Sequence, residues 1–473
     1  MNAAQRIYAA STSDGETSFP QAEELARRIE DDIASSDLPP GQALGSLREL
    51  SERYSVGRSV AREAMGLLER RGLGRLRRGP CGGFILAEPQ PETIGEELAD
   101  HFRLTGVTLR QLMDAREAVD LMAARLAVSA RPGRSSLERL KIASGTDDLA
   151  GRLAARIEIA RMAGEPLLLL FVECLNSLTV DFGWMDRAPD GGGGGPAGGL
   201  AMARALRAGD VEAAEAAAAQ AHAELAAWLE ERPGAPRSEP AEVSRLLGST
   251  GTLASAIARE LAAEIMTSGN AGTRLGSEWD LCERFNVSRL TLRQAIRLLQ
   301  DTGLVECRRG RGNGLLVQDR RTSGAIRLML GYLIGSRADP FATGTILFQL
   351  NCFQPALAVG RADPAQRRQL DAVLARVEAC DPFDRYDLLS LVHCVSRLAD
   401  SPIIDLFSRC LAAYEARFKP TLAERLPASG QTSYFRLLRR LLDRPQMASP
   451  AGMAQAKTET SALMFEMSRS RPL

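Results

Sequence analysis

Lysine and histidine are nearly missing from this chain. Lys141, Lys419 and Lys457 are the only lysines among 59 basic residues, and His101, His222 and His393 are the only histidines. Arginine therefore carries the positive charge, a bias that a GC-rich genome produces as readily as a functional need does. The 59 acidic residues bring the formal net charge to zero, which excludes a chain basic throughout and makes charge a property to be read segment by segment. HExxH, a GxxxxGK[ST] loop and a GxSxG elbow are absent as well. The zinc-protease, phosphate-loop and serine-hydrolase classes have no foothold, and no enzyme is expected.

Cysteine is sparse and unpatterned. The eight residues at 81, 174, 282, 307, 352, 380, 394 and 410 form no CxxC, so they read as reduced thiols in a cytoplasmic protein without a secretory leader. Long apolar runs are missing too. "PLLLLFV" at 166–172 falls far short of the roughly 20 residues that span a bilayer, which argues against a membrane partner.

What the chain does have is length and self-similarity. At 473 residues it is too long for one core, and about 150 residues per domain implies roughly three or four domains. An offset of 231 residues takes Arg62 onto Arg293. The same offset takes Gly41 onto Gly272, Ser46 onto Ser277, Glu52-Arg53 onto Glu283-Arg284, Gly72-Leu73 onto Gly303-Leu304 and Arg77-Arg78-Gly79 onto Arg308-Arg309-Gly310. The chain reads as a tandem duplication.

In the first copy, Leu25, Ile29 and Ile33 recur at helical spacing and "LPPG" ends that helix. Ser46 and Glu49 have the form of a capping box, which predicts a short second helix to about Tyr54. A third helix is predicted from near Arg58 to Gly72, the latter a left-handed terminator, with Val60, Ala64, Leu67 and Leu68 as its apolar stripe. Arg58 and Arg62 lie two residues either side of Val60, so at 100° per residue they face away from that stripe. "LGRLRRGPCGGFILA" and "LVECRRGRGNGLLVQ" read as pairs of short strands around Gly-rich turns. Three helices and a two-stranded wing make a winged helix-turn-helix.

Local charge agrees. Residues 47–79 hold nine arginines against four glutamates, and residues 278–311 hold seven arginines against five acids. A basic patch supplies phosphate affinity while a helix in the major groove reads bases. A merely solvated helix face is the alternative, and its repetition with the same outward arginines weighs against it.

The stretches "LPPGQALGSLRELSERYSVGRSVAREAMGLLERRGLGRLRRG" and "GTRLGSEWDLCERFNVSRLTLRQAIRLLQDTGLVECRRGRGNG" both resemble the DNA-binding domain of the GntR family of bacterial transcription regulators. More weakly, "DAREAVDLMAARLA", "AGEPLLLLF", "FQPALAVGRA" and "ADSPIIDLF" resemble the effector bundles of its FadR branch. The resemblance implies a sequence-specific regulator whose operator binding responds to a small-molecule ligand, and a repressor is expected although the sequence does not name the direction of regulation. It places DNA contacts on Arg48, Gly57, Arg58, Ser59, Arg62, Arg77, Arg78 and Gly79. In the second copy they fall on Ser288, Arg289, Leu290, Arg293, Arg308, Arg309 and Gly310, with Trp279 where the family and the first copy have arginine. Many bundles of that branch bind a divalent metal through one aspartate and three histidines, but the first two such positions fall on Arg152 and Arg156. No metal and no cofactor is expected. Arg116, Arg152 and Arg156 are candidates for an anionic effector, with surface or ion-paired arginines as the alternative.

The expected fold is mainly α, with two winged helix-turn-helix domains alternating with two all-α bundles. The expected boundaries are a tail at 1–20, winged domains at 21–88 and 253–319, bundles at 89–231 and 320–473, and a linker at 232–252. The run Gly191–Gly195 reads as a loop within the first bundle. The expected partner is double-stranded operator DNA, met by a homodimer or by one chain as a pseudo-dimer with half-sites one turn apart, about 34 Å, or a multiple of it. The competing reading is an adaptor that uses degenerate winged domains for dimerisation.

Overall fold

A computed structural model describes residues 21–36, 38–77, 83–145, 148–183, 197–230, 253–268, 272–301, 304–307, 314–317, 323–379, 385–418 and 428–444. The expected tail and linker, the Gly191–Gly195 run and the wing residues Arg78, Gly79, Arg308, Arg309 and Gly310 lie outside the described residues.

The chain opens with α1 (Gln21–Ser35), β1 (Ala43–Gly45), α2 (Leu47–Arg53), α3 (Arg58–Arg70), β2 (Gly74–Arg77) and β3 (Gly83–Leu86). Leu25 and Ile29 of α1 close over Leu50, Met65, Leu68 and Phe84, all 0–1% exposed. The capping box at Ser46 and Glu49 is formed in both directions, and Gly72 takes φ +74° after α3, a conformation that costs glycine little. Two details differ from the sequence reading. The buried stripe of α3 is Ala61, Ala64, Met65, Leu67 and Leu68, with Val60 only half-buried. The sheet has three strands in the order β1-β3-β2, because the segment after "LPPG" pairs with β3 as an antiparallel edge. A Cβ on Gly83 would stand 2.6 Å from the Gly45 carbonyl oxygen, so this pairing requires glycine there.

Among the described residues there follow α4 (Pro91–Thr105), α5 (Leu109–Ser129), α6 (Arg134–Ala143), α7 (Leu149–Ala163), α8 (Pro166–Gly183), α9 (Ala197–Ala208) and α10 (Val211–Glu230). The second winged domain comprises α11 (Leu253–Ser268), β4 (Arg274–Gly276), α12 (Glu278–Phe285), α13 (Arg289–Asp301), β5 (Val305–Cys307) and β6 (Leu315–Val317). Its sheet order, β4-β6-β5, repeats the first, and Gly272 and Gly276 repeat the positive φ of Gly41 and Gly45 to within two degrees. Ile257, Leu261, Leu281, Leu292, Leu299 and Leu315 form its core. Beyond it, the described residues form α14 (Ser323–Gly335), α15 (Pro340–Arg361), α16 (Pro364–Ala379), α17 (Arg385–Ala399), α18 (Pro402–Phe418) and α19 (Ala428–Leu442).

The contacts divide the chain into two compact units. In one, the helices of Asp339–Leu473 are joined by residues Arg110–Ala118 of α5. There α15 packs on α17 and α18 around Leu350, Leu357, Leu391, Phe407 and Leu411, each fully buried. Arg361 bonds the Ala399 carbonyl and Asp114, which ties the start of α5 to this core.

The other unit holds both winged domains, α4, the rest of α5 and α6 to α10. Arg103, 4% exposed at its side chain, binds α4 to α8 through Asp181 and Ser177 while pairing with Asp100 and Glu96 on its own helix. Helix α14, expected in the second bundle, also belongs to this unit and packs on α1 and α4. The approach is close: a Cβ on Gly331 would lie 2.7 Å from Cβ of Arg71, and one on Gly335 would lie 2.8 Å from Cδ of Pro89. The Tyr332 hydroxyl donates to the Pro166 carbonyl at 2.8 Å. Among the described residues no helix is long and apolar enough to cross a membrane.

Candidate nucleic-acid interface

In the first winged domain, α2 and the turn after it aim the start of α3 at solvent. Gly57 is the N-cap of α3 and supplies no side-chain cap, so the first amides of the helix remain available to an anion. Gly57, Arg58, Ser59 and Arg62 are all exposed. The side chains of Arg58 and Arg62 make no hydrogen bond or ion pair among the described residues. Arg48 projects from α2 with its side chain 74% exposed and pairs only with Glu52 on the same helix, at 2.8 Å. That bond raises the arginine above its ordinary pKa, but an exposed pair is easily exchanged for a phosphate contact. Arg77 is exposed at the end of β2.

Not all the local charge faces outward. Arg71 is 1% exposed and holds Glu23 and Glu30 at 2.7 Å each. Arg53 donates to the Leu44 carbonyl at 3.3 Å. The charge that the sequence assigns to this segment is therefore partly structural.

The second winged domain differs at the same positions. Ser288 caps α13 by accepting from the Thr291 amide at 3.2 Å and pairs with the Thr291 hydroxyl at 2.9 Å. Arg289 stands over the Trp279 ring, 5.5 Å from its centroid, and Arg293 pairs with Glu278 at 3.1 Å. Trp279 is 64% and Leu290 54% exposed. Arg289 and Arg293 are thus engaged by their own domain, whereas the side chains of Arg58 and Arg62 have no such partner among the described residues.

The two heads meet through their third helices. Arg297 of α13 pairs with Glu63 of α3 at 3.3 Å, and Arg70 donates to the Leu298 carbonyl at 2.9 Å. Under the 231-residue offset, Glu63 corresponds to Gln294 and Arg297 to Gly66. The reading of the sequence missed this contact. Its one visible signal is a charge at 297 where the first copy has glycine.

Of the three candidate effector arginines, Arg116 and Arg156 are buried and Arg152 is half-buried. Arg116 is fully buried in the segment of α5 that joins the unit of α15 to α19. Arg156 belongs to the other unit, where it pairs with Asp120 at 2.8 Å, both side chains under 10% exposed, and donates to the Ala221 carbonyl at 3.1 Å. Arg152 lies 3.6 Å from Glu224. Carboxylates of the bundle therefore already occupy the positions where an anionic ligand would bind Arg152 and Arg156. Among the described residues, no three His, Cys, Asp or Glu side chains gather as metal ligands.

Residues 21–81 and 253–314 match the family described as bacterial regulatory proteins, gntR family. The HTH-type transcriptional regulator LutR of Bacillus subtilis (strain 168) is 29% identical over 131 residues, covering 27% of this chain and 58% of LutR. The putative HTH-type transcriptional regulator RmpR of Mycobacterium gastri is 34% identical over 109 residues, covering 23% of this chain and 39% of RmpR. The chain thus spans about half the length of the curated relatives it matches. Among solved structures, Streptococcus agalactiae GntR aligns at 22% identity and a TM-score of 0.32, covering 44% of this chain and 99% of that one. Where described, residues 21–81 and 253–314 have the helices and three-stranded sheets of a winged helix-turn-helix, and both segments match the gntR family of bacterial regulatory proteins.

Proposed function

We propose that this chain is a sequence-specific DNA-binding transcription regulator, a tandem duplication of the FadR-like plan. In this reading it represses by occupying double-stranded operator DNA with both heads of one chain as a pseudo-dimer. The observation that carries the reading is the exposed, unpaired Arg58 and Arg62 one turn apart at the uncapped start of α3. Two guanidiniums so placed suit guanine edges in the major groove, and the helix amides beside them suit a phosphate. Arg48, Ser59, Arg77, Arg78 and Gly79 supply the flanking contacts.

The head-to-head contact narrows the expected geometry. Arg58 lies five residues from Glu63, and Arg289 eight from Arg297. At about 1.5 Å per residue the base-reading ends lie about 7.5 and 12 Å along their helices from the Glu63–Arg297 pair, which ties the two half-sites to a limited range of spacings. A small-molecule ligand of the bundles tunes the affinity, and an anionic one would have to displace Asp120 and Glu224 from Arg156 and Arg152.

The test is titration of the purified chain onto the DNA upstream of its own operon and onto duplexes selected from a random pool. Salt-sensitive, sequence-selective binding is expected, and its absence overturns the proposal. A second reading, an adaptor in which the heads only dimerise, draws on the internally engaged arginines of the second head. Combined Arg58→Ala and Arg62→Ala separates the two readings: loss of operator occupancy in cells supports the regulator, and unchanged cellular function supports the adaptor.

A further inference from the structure

The second head offers apolar surface where the first offers charge. Trp279 occupies the position of Arg48 and Leu290 that of Ser59 under the 231-residue offset, and both are more than half exposed. Leu290 opens the same helix as Arg289, whose guanidinium lies over the Trp279 ring. Arg293, the counterpart of Arg62, is drawn to Glu278. With Arg289 over an indole and Arg293 beside a carboxylate, this head presents less free guanidinium to guanine than the first does. Its exposed apolar pair instead matches the one apolar feature of the major groove, the C5-methyl of thymine. Arg289, held over the indole by a cation–π contact, keeps its N–H donors for phosphate.

We infer that Trp279, with Leu290, is the specificity determinant of the second head and packs against thymine methyl groups. The operator is accordingly asymmetric, with a guanine-bearing half-site under the first head and a thymine-bearing one under the second. This rests on the DNA-binding reading above. Glu278 sharpens the difference by neutralising Arg293, so the second head contributes shape and methyl contacts more than charge.

The experiment uses the full chain and a duplex selected from a random pool. Replacing thymine by uracil in the second half-site removes only the methyl. It should weaken the wild type about fourfold per contacted methyl, the effect of one buried methylene-sized group. Trp279→Ala should abolish the thymine-over-uracil preference, whereas Arg58→Ala should leave that ratio intact while weakening overall binding. Trp279→Arg, which restores the residue of the first head, should shift selection in the second half-site toward the sequence of the first. Glu278→Gln should tighten binding and steepen its salt dependence by about one counterion. A symmetric selected operator, or equal affinity for thymine and uracil duplexes, overturns this inference alone. Failure to select any duplex overturns the DNA-binding reading with it. Trp279 is exposed, so unchanged thermal melting of its variants is expected and separates a lost contact from a lost fold.

Discussion

Residues that look alike in the sequence have opposite fates here. Arg58, Arg62 and Arg71 lie in one basic run, yet the first two are solvated and the third is 1% exposed. Helical periodicity made the first pair legible, because it depends only on neighbours three and four residues away. It is silent on Arg71, whose partners Glu23 and Glu30 come from α1. The two classes should separate in experiment. Arg58→Ala or Arg62→Ala should cost roughly 1–3 kcal/mol of operator affinity with no change in urea midpoint. Arg71→Ala strips a buried pair from Glu30 and should cost about 3–5 kcal/mol of stability, read as a lower urea midpoint. An Arg71→Ala protein as stable as the wild type would remove the structural role assigned to that side chain.

At the scale of elements, the helices were legible and the small strands only in part. The three helices of each winged domain announce themselves by apolar spacing and by Ser46 and Ser277, whose capping boxes both form. Strands β1 and β4 have three residues each, too few for alternation to show, and only the close approach of Gly83 and Gly314 to Gly45 and Gly276 reveals them. The packing of α14 was hidden for a different reason. Its counterparts on α1 and α4 lie more than two hundred residues earlier in the chain.

Where α4 meets α8, burial and the nearby Glu92 push the Glu173 carboxyl up to about 6. A carboxyl raised in the folded state binds its proton more tightly there than when unfolded. Its contribution is therefore least unfavourable at acid pH and worsens as pH rises from about 4.5 through 6. Glu173→Gln should raise the melting temperature at pH 7.5 and change little at pH 4.5. A gain of equal size at both pH values would show that charge is not the cause.

For the whole molecule, the repeated plan was visible in the 231-residue offset, and the matching φ values of Gly41 with Gly272 and Gly45 with Gly276 show how closely the two backbones agree. The contact between the heads was not visible, because it is made by residues that the repeat does not preserve. The Glu63–Arg297 pair bears on how far the heads can separate. Arg297→Glu should relax the spacing requirement, so that operators with one or two base pairs inserted between half-sites lose less affinity than they do with the wild type. Adding Glu63→Arg should restore discrimination. Equal spacing profiles for all three proteins would assign no role to the pair on DNA.

That same pair has a consequence for how the two heads recognise each other. In a symmetric dimer every interface residue must answer to its own copy, so a change that suits one side is imposed on the other. Joining two copies in one chain removes that obligation. Glu63 faces Arg297, while Gly66, the counterpart of Arg297, leaves Glu63 no such cation when two first heads are set together. The contact between the heads is therefore asymmetric, and two first heads set together would lack this ion pair.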